Sequence, residues 1–351
     1  MKINAISYFL RKYLGWRNWA VFTYNAFIEN IFIVFYIALS QKNFSNGFLI
    51  NILYFYGFSI FSTSYGYLAN DLADRDLDAI HKKPNTFAQN SYISGLFIVL
   101  FTFLMSAIFA LPFINNKWFV LAWLIWFFLT STYSFKPIRL KERGKIGLIS
   151  VVFAQRIMPT LLVFAAFGFL NLWMIILITT YIFFRGLSSD INHQLEDYHL
   201  DIKTDTKTFA VIMGFERTKS ILRSVLEIEK LLLLLVLFSM FLDFNIHFSM
   251  QRYLFFLVMI FYIFIYIFSL YRIRTGDWKN PFDTLEKSIF QFIHHPFPSV
   301  LLPVFLLCNL SFFNPYYLLI LILFLWNKGL LYRGTIANSY PYALIKKMSP
   351  F

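Results

Sequence analysis

The chain has 351 residues, of which 59% are hydrophobic, 21% are aromatic and only 14% are charged. A soluble protein carries about 25% charged residues, so the composition indicates a multi-pass membrane protein and excludes secreted, fibrous and disordered chains. The formal net charge of +13 does not indicate nucleic-acid binding. The lysines and arginines lie in the loops between apolar runs, as they do in membrane proteins.

The apolar runs predict the architecture. The first 18 residues mix basic and apolar side chains and predict an amphipathic helix on the membrane surface. Runs of about 20 apolar residues that can cross a bilayer follow. The predicted spans are Trp19–Leu39, Gly47–Ala69, Ser91–Phe113, Trp118–Tyr133, Ile146–Phe167, Leu170–Leu187, Lys230–Phe244, Arg252–Tyr271, Pro298–Phe313 and Tyr316–Leu331.

These spans predict an all-α integral membrane protein. Nine to ten transmembrane helices surround a central apolar chamber, because the last two spans are short enough to be one broken helix. We expect a polar cap on the cytoplasmic side of this chamber. Residues 19–351 then form a single domain, with a core at 19–271 and C-terminal helices at 272–351.

The loops alternate between long charged segments and short segments with few charges. The long loops begin at Asn70, Lys136, Asp190 and Arg272, and they hold most of the lysines and arginines. Cytoplasmic loops of membrane proteins carry an excess of these residues. The long loops are therefore predicted to be cytoplasmic, in the inner membrane if the protein is bacterial.

An acidic stretch follows the second predicted span. Asp71, Asp74 and Asp78 are spaced by three and four residues, which places their carboxylates on one side of a helix. Asn70 flanks this side, and Asp76 points away from it. Stacked carboxylates repel one another, so a cation is expected to neutralise them near the bilayer.

A second acidic stretch follows the sixth predicted span. Asp190, Gln194, Asp197 and Asp201 are separated by four, three and four residues, so they too share one helical side. One such cluster alone is as consistent with a solvated, charged helix end as with a metal site. Two clusters on the same side of the membrane predict a shared site for a divalent cation and a diphosphate.

The two acidic stretches resemble the signatures of the UbiA superfamily of intramembrane prenyltransferases. The first signature corresponds to Asn70-Asp71-x-x-Asp74-x-x-x-Asp78 and the second to Asp197-x-x-x-Asp201. Between them, the segment from Tyr133 to Lys141 resembles the basic loop of that family. The first signature continues as His81-Lys82-Lys83-Pro84, where the family often has an Arg-Pro element.

The resemblance implies transfer of a prenyl group from its diphosphate to a lipophilic acceptor, with Mg²⁺ as the cofactor. It implies a membrane-embedded site in which Mg²⁺ neutralises the leaving diphosphate. The implied metal ligands are Asp71, Asp74, Asp78, Asp197 and Asp201, with Asn70 as a further catalytic residue and Asp190 and Gln194 as additional candidates. The implied diphosphate-binding residues are Lys136, Arg139, Lys141, Lys203 and Lys207.

Polar residues inside predicted spans are costly and indicate a function or a partner. Arg156 lies deep in the fifth span, where it would bind a substrate anion or form an ion pair with Glu29 of the first span. Tyr133 is a candidate for stabilising a carbocation, although a packing or interface role agrees better with its position. His193 could act as a base towards the acceptor, although a loop histidine with hydrogen-bond partners of its own agrees better with its position.

Other functions remain open at the level of sequence. The same fold and metal site could use phosphoribosyl diphosphate as the donor to a polyprenyl phosphate. A secondary transporter with a coupling-ion site is an alternative from another class, although such sites lie near the bilayer midplane and not at helix ends. The identity of the acceptor and the length of the prenyl chain are not encoded in a recognisable motif.

Overall fold

The computed structural model describes residues 5–15, 21–80, 82–204, 206–247, 249–274 and 289–329. Within these ranges the chain forms helices and loops and no strand. The α-helices are α1 Ala5–Phe9, α2 Ala26–Glu29, α3 Phe32–Ser40, α4 Asn46–Ile80, α5 Tyr92–Ala110, α6 Lys117–Ser134, α7 Lys145–Val152, α8 Met158–Ala166, α9 Leu172–Glu196, α10 Tyr198–Lys203, α11 Phe209–Met213, α12 Phe215–His247, α13 Ser249–Arg274, α14 Ile289–His294, α15 Leu302–Ser311 and α16 Tyr317–Asn327.

Six helical segments in the described part of the chain are long and apolar enough to cross a membrane. They are Asn46–Ile80, Tyr92–Phe113, Lys145–Ala166, Leu172–Glu196, Gln251–Tyr271 and Phe292–Ser311. The expected all-helical membrane fold is thereby confirmed, and the number of nine to ten transmembrane helices stays a prediction. Much of the loop predicted from Arg272, and most of the C-terminal tail, lie outside the described residues.

The first predicted span is not one continuous helix. Its described part is interrupted at Tyr24 and Asn25, and again between α2 and α3. Asn25 causes the first interruption, because its side-chain oxygen accepts from the backbone N–H of Ile28 at 3.0 Å and its amide donates to the Val21 carbonyl at 2.7 Å. Asparagine favours such local hydrogen bonds over a helix interior.

Capping residues fix where several other helices begin. Ser91, Asn116 and Asn171 each accept a hydrogen bond from a backbone N–H in the first turn of α5, α6 and α9 respectively. Such caps satisfy N–H groups that have no partner inside the helix. By contrast, α4 and α9 extend well beyond the predicted spans, to Ile80 and Glu196, and they carry acidic residues in their last turns.

The chain divides into two compact units. The first comprises residues 1–28 and 50–240, and the second comprises residues 29–49 and 241–351. In the first unit α6 packs against α8, and α7 packs against α9. In the second unit α15 packs against α3 and α16, and the rings of Phe44 and Phe313 stack with their centroids 4.4 Å apart. The prediction of a single transmembrane domain stays a prediction.

A π-helical turn, Phe153–Ile157, joins α7 to α8 and changes which side chains face inward. Within it the N–H of Met158 donates to the carbonyl of Phe153. The next donor in this register would be residue 159, which is a proline and has no N–H. The indole N–H of Trp126, on α6, donates to the Ala154 carbonyl at 2.9 Å and takes the place of the missing donor.

Replacing Trp126 should therefore destabilise the protein more than replacing a neighbouring tryptophan. Trp123 lies one turn earlier on α6, and its buried indole nitrogen has no hydrogen-bond partner within the described residues. We expect Trp126→Phe to lower the free energy of unfolding by about 1 kcal/mol more than Trp123→Phe, because only Trp126→Phe leaves a buried carbonyl without a donor. Thermal unfolding of the purified protein in detergent measures the difference, and equal losses would contradict this role of Trp126.

Candidate active site

The ends of α4 and α9 face a common cavity of about 550 Å³ in the first unit. Both acidic stretches line it, with Asp74, Asp78, Asp190, Gln194, Asp197 and Asp201, and the loop after α6 adds Glu142. The carbonyl ends of helices carry partial negative charge, which adds to the repulsion among these carboxylates. A cavity built in this way requires cationic groups.

Part of the cationic charge comes from the basic loop after α6. Arg139 donates to Asp74 at 2.9 Å, and Lys141 donates to the other carboxylate oxygen of Asp74 and to the Asn70 side-chain oxygen, the latter at 3.0 Å. Burial lowers the pKa of Lys141 more than the neighbouring carboxylate raises it. Asp74 thus lies between two cations of the loop.

The segment between α4 and α5 contacts the acidic end of α4 from another side. Asn85 donates from its amide to the Asp71 carbonyl at 2.7 Å and to the Asp78 carboxylate at 2.8 Å. The hydroxyl of Thr86 donates to the Asp71 carboxylate at 2.6 Å. The amide of Asn90 donates in turn to the hydroxyl of Tyr13, on the N-terminal segment, at 3.3 Å.

Asp71 therefore differs in placement from Asp74 and Asp78, with which it was predicted to share one side of the helix. Asp71 is buried and lines neither of the two large cavities of the first unit. Seven residues at about 100° each amount to nearly two full turns, so Asp71 and Asp78 do lie on nearly the same side of α4. Asp71 lies two turns earlier on the helix, where its contact with Thr86 places it under the loop. Asp76 is 84% exposed and pairs with Arg75 at 2.8 Å, so it does point away, as predicted.

The second acidic stretch is divided between two helices. α9 ends at Glu196 and α10 begins at Tyr198, so Asp201 does not continue the helix that carries Asp190. Thr208 nevertheless holds Asp201 at the cavity with a hydrogen bond of 3.0 Å, and the N–H of Ala210 donates to the Gln194 side chain at 3.2 Å. Burial is the main cause that raises the pKa of Asp201.

The predicted diphosphate-binding residues fall into two groups. Arg139, Lys141 and Lys207 line the cavity. Lys136 and Lys203 are exposed and are not among its lining residues. Lys83 lines the cavity although it was not predicted to bind the diphosphate. Its position directly after the first acidic signature, next to Pro84, was the signal in the sequence.

A second cavity of about 510 Å³ adjoins the first. Both are lined by Tyr133, Lys141, Val151, Asp190 and His193. Gly147 lines only the first cavity and Arg156 only the second. Arg156 follows Gly147 by nine residues of helix, which corresponds to roughly 13 Å along the helix axis.

A small third cavity of about 40 Å³ shares lining residues Ala26, Thr63, Trp126 and Pro159 with the second. Phe27, Phe55 and Phe58 contribute aromatic surface there. The three cavities follow one another from a charged opening, through a mixed polar and aromatic middle, to an aromatic end. This order suits a molecule with a charged head and an apolar body.

Comparison with known proteins identifies the family. The family model of the UbiA prenyltransferase family matches residues 30–294 of the chain. The chain belongs to the UbiA prenyltransferase family. The predicted membership of this family is thereby confirmed.

Solved structures of UbiA homologues share the fold. A UbiA homologue from Archaeoglobus fulgidus bound to GPP and Mg²⁺ is 19% identical and has a TM-score of 0.59, with 86% of this chain and 99% of that chain covered. The same homologue bound to DMAPP and Mg²⁺ has a TM-score of 0.60 at 19% identity and the same coverage. A digeranylgeranylglyceryl phosphate synthase is 15% identical over 86% of this chain and 97% of that chain, with a TM-score of 0.52. No curated protein matches the chain.

The hydrogen bonds of Asn85 lead to a prediction about the acidic helix end. We expect Asn85→Ala to lower the free energy of unfolding by about 1–2 kcal/mol, because two acceptors lose their donor and the N–H of Phe87 loses its acceptor. Asn85→Asp should cost more, since it also places a carboxylate beside Asp78. Salt screens that repulsion, so the difference between the two variants in thermal unfolding should shrink at high salt. A difference that is independent of salt would contradict the proposed contact.

Proposed function

We propose that this member of the UbiA family transfers a prenyl group from a prenyl diphosphate to a lipophilic acceptor within the membrane, with Mg²⁺ as the cofactor. The observation that carries the proposal is the single cavity lined by both acidic stretches and by Lys83, Arg139, Lys141 and Lys207. Negative oxygen ligands and basic side chains in one cavity suit a complex of a hard cation with a diphosphate.

The residues present fit Mg²⁺. The acidic lining offers only oxygen ligands, which Mg²⁺ prefers. Within the described residues, no group of three acidic, histidine or cysteine side chains is already close enough to bind a metal ion by itself. A site that depends on substrate phosphates to complete the coordination is the usual arrangement for this ion.

We assign the metal ligands to Asp74 and Asp78 on α4, and to Asp197 and Asp201 beyond α9. Asn70 and Gln194 would supply or orient further oxygen ligands. Asp71 would act through its contact with Thr86, as a residue that positions the helix end. Bound Mg²⁺ would supply a Lewis acid that stabilises negative charge on the leaving diphosphate.

The transfer step releases a diphosphate and a proton, and side chains that line the cavities can receive the proton. A nucleophilic atom of the acceptor forms a bond to C1 of the prenyl group, while the C1–O bond breaks and the diphosphate leaves with the electron pair. Asp190 and His193 line both large cavities and are placed to receive the proton that the acceptor loses. Tyr133 lies at the same junction and presents an aromatic ring, a group that attracts cationic character.

The inner cavities support a prenyl donor over the other candidates. Phosphoribosyl diphosphate has no apolar body, whereas the second cavity adjoins the acidic one and is lined in part by the aromatic side chains of Tyr24, Tyr67 and Trp126. A coupling-ion site of a transporter is expected at broken helices near the bilayer midplane. The acidic residues here lie instead at the ends of α4 and α9.

Substitution of the acidic residues tests the assignment. We expect Asp74→Asn and Asp197→Asn to lower turnover of a prenyl diphosphate by about a hundredfold or more, because each removes a carboxylate that would hold the Mg²⁺ needed to offset negative charge on the leaving diphosphate. Asp76→Asn is the matched control, since Asp76 is 84% exposed and pairs with Arg75. A loss at Asp76 as large as that at Asp74 would argue against the assignment.

We also propose that both acidic helix ends face the cytoplasm, from the excess of basic residues in their loops. Lys136 and Lys203 are exposed and lie in those loops, so cysteines can replace them in a variant whose Cys308 is changed to serine. A membrane-impermeant thiol reagent should label neither position in intact cells and both in opened membranes. Labelling from outside the cell would overturn this orientation.

A further inference from the structure

The N-terminal segment, residues 5–15, packs against a loop that borders the acidic cavity. This α4–α5 loop, residues 82–91, contains neither helix nor strand. It carries Lys83, which lines the cavity, and Asn85, which binds the Asp78 carboxylate. A loop without regular backbone pairing depends on side-chain contacts for its conformation. The groups that hold this loop therefore also determine where its lysine lies.

Two consecutive residues of the N-terminal segment hold Asn90, near the end of the α4–α5 loop. The ammonium group of Lys12 donates to the side-chain oxygen of Asn90 at 2.9 Å, and the amide of Asn90 donates to the hydroxyl of Tyr13 at 3.3 Å. From α4, Arg75 donates to the backbone carbonyl of Asn90 at 3.3 Å. Asn90 thus joins the N-terminal segment to the helix that carries the first acidic stretch.

An aromatic contact connects the same segment to the middle of the loop. The ring of Tyr13 stacks on that of Phe87, with the centroids 5.9 Å apart, and both side chains are buried. The N–H of Phe87 donates to the side-chain oxygen of Asn85 at 2.8 Å, and its carbonyl accepts from the N–H of Asn90 at 2.9 Å. Phe87 therefore links the residue held by the N-terminal segment to the residue that binds the acidic end of α4.

We propose that Lys12, Tyr13 and Asn90 are positioning residues for the prenyl diphosphate. They hold the α4–α5 loop in the conformation that places Lys83 at the acidic cavity. The inference rests on the proposed function, because it assumes that the diphosphate and Mg²⁺ occupy that cavity. The three residues are not among those that line the cavity, so they act through the loop.

Docking of the N-terminal segment and binding of the donor are then coupled. If the loop is released, the diphosphate binds only the fraction of molecules in which Lys83 lies at the cavity, and the apparent Kd rises by the inverse of that fraction. Coupling between two sites is reciprocal. Donor binding should therefore also stabilise the docked N-terminal segment, although this segment does not line the cavity.

Variants of the N-terminal segment separate the contact from the charge. We expect Lys12→Met and Asn90→Ala each to raise the Kd of geranyl diphosphate with Mg²⁺ about 3- to 10-fold, as expected for the loss of one or two hydrogen bonds. Titration calorimetry of the purified full chain in detergent measures this. Arg11→Met is the matched control, since Arg11 is exposed and the change removes the same charge. It should leave the Kd unchanged.

A double variant tests whether Lys12 acts through Asn90. Lys12→Met combined with Asn90→Ala should weaken donor binding no further than Asn90→Ala alone, because the lysine has then already lost its acceptor. Tyr13→Phe keeps the aromatic stack and removes only the hydroxyl that accepts from Asn90. We expect it to raise the Kd about twofold, as expected for one weak neutral hydrogen bond.

Hydrogen exchange provides a local readout that a general loss of stability would not reproduce. In the unmodified protein, geranyl diphosphate with Mg²⁺ should slow amide exchange in residues 82–91 and also in residues 5–15. Without ligand, the amides of residues 82–91 should exchange faster in Lys12→Met than in the unmodified protein. Saturation with the donor should remove this difference, because the bound diphosphate then holds the loop.

Three results would overturn the inference. They are an unchanged Kd in both Lys12→Met and Asn90→Ala, an equal rise of the Kd in Lys12→Met and Arg11→Met, and a lowered melting temperature in Asn90→Ala with unchanged loop exchange and donor affinity. The second result would assign the effect to the charge of the segment, and the third would assign the contact to fold stability alone. Failure of geranyl diphosphate to bind the unmodified protein would instead contradict the proposed function.

Discussion

Electrostatic repulsion between two acidic helix ends is the constraint on which the rest of this site depends. α4 and α9 bring their carboxylates to one cavity, where the helix dipoles add further negative charge. The protein supplies part of the compensation through Arg139 and Lys141, both of which contact Asp74. Like charges in a shared site destabilise one another unless cations intervene. A bound cation, together with an anionic substrate, would neutralise the carboxylates that Arg139 and Lys141 do not contact.

Two local features of the backbone complete this site. The loop after α4 holds Asp71 and Asp78 through Thr86 and Asn85, so the acidic helix end has a defined orientation. Further along, Pro159 removes one backbone donor next to a π-helical turn, and Trp126 replaces it from α6. The turn would otherwise expose an unsatisfied carbonyl in an apolar region. In both features, a side chain of one helix or loop supplies a hydrogen bond that another helix needs.

The sequence predicted the class of fold and the meeting of the two acidic stretches, because spacing along a helix determines which side chains share a side. It did not predict that Asp71 would face the loop, since that depends on Thr86, which lies beyond the end of the helix. Asp201 was expected on the same helix as Asp190, but a break after Glu196 separates them. The break in the first span also escaped prediction, because it arises from the hydrogen bonds of Asn25. Lys83 was overlooked because a loop, and not a helical period, brings it to the cavity.

The proposed site requires that the acidic cavity binds a prenyl diphosphate only together with Mg²⁺. Titration calorimetry of the purified protein with geranyl diphosphate measures this directly, in the presence of Mg²⁺ and in the presence of a chelator. We expect saturable binding with Mg²⁺ and at least a hundredfold weaker binding, about 2.7 kcal/mol, with the chelator. Equal affinity in the two conditions would contradict it.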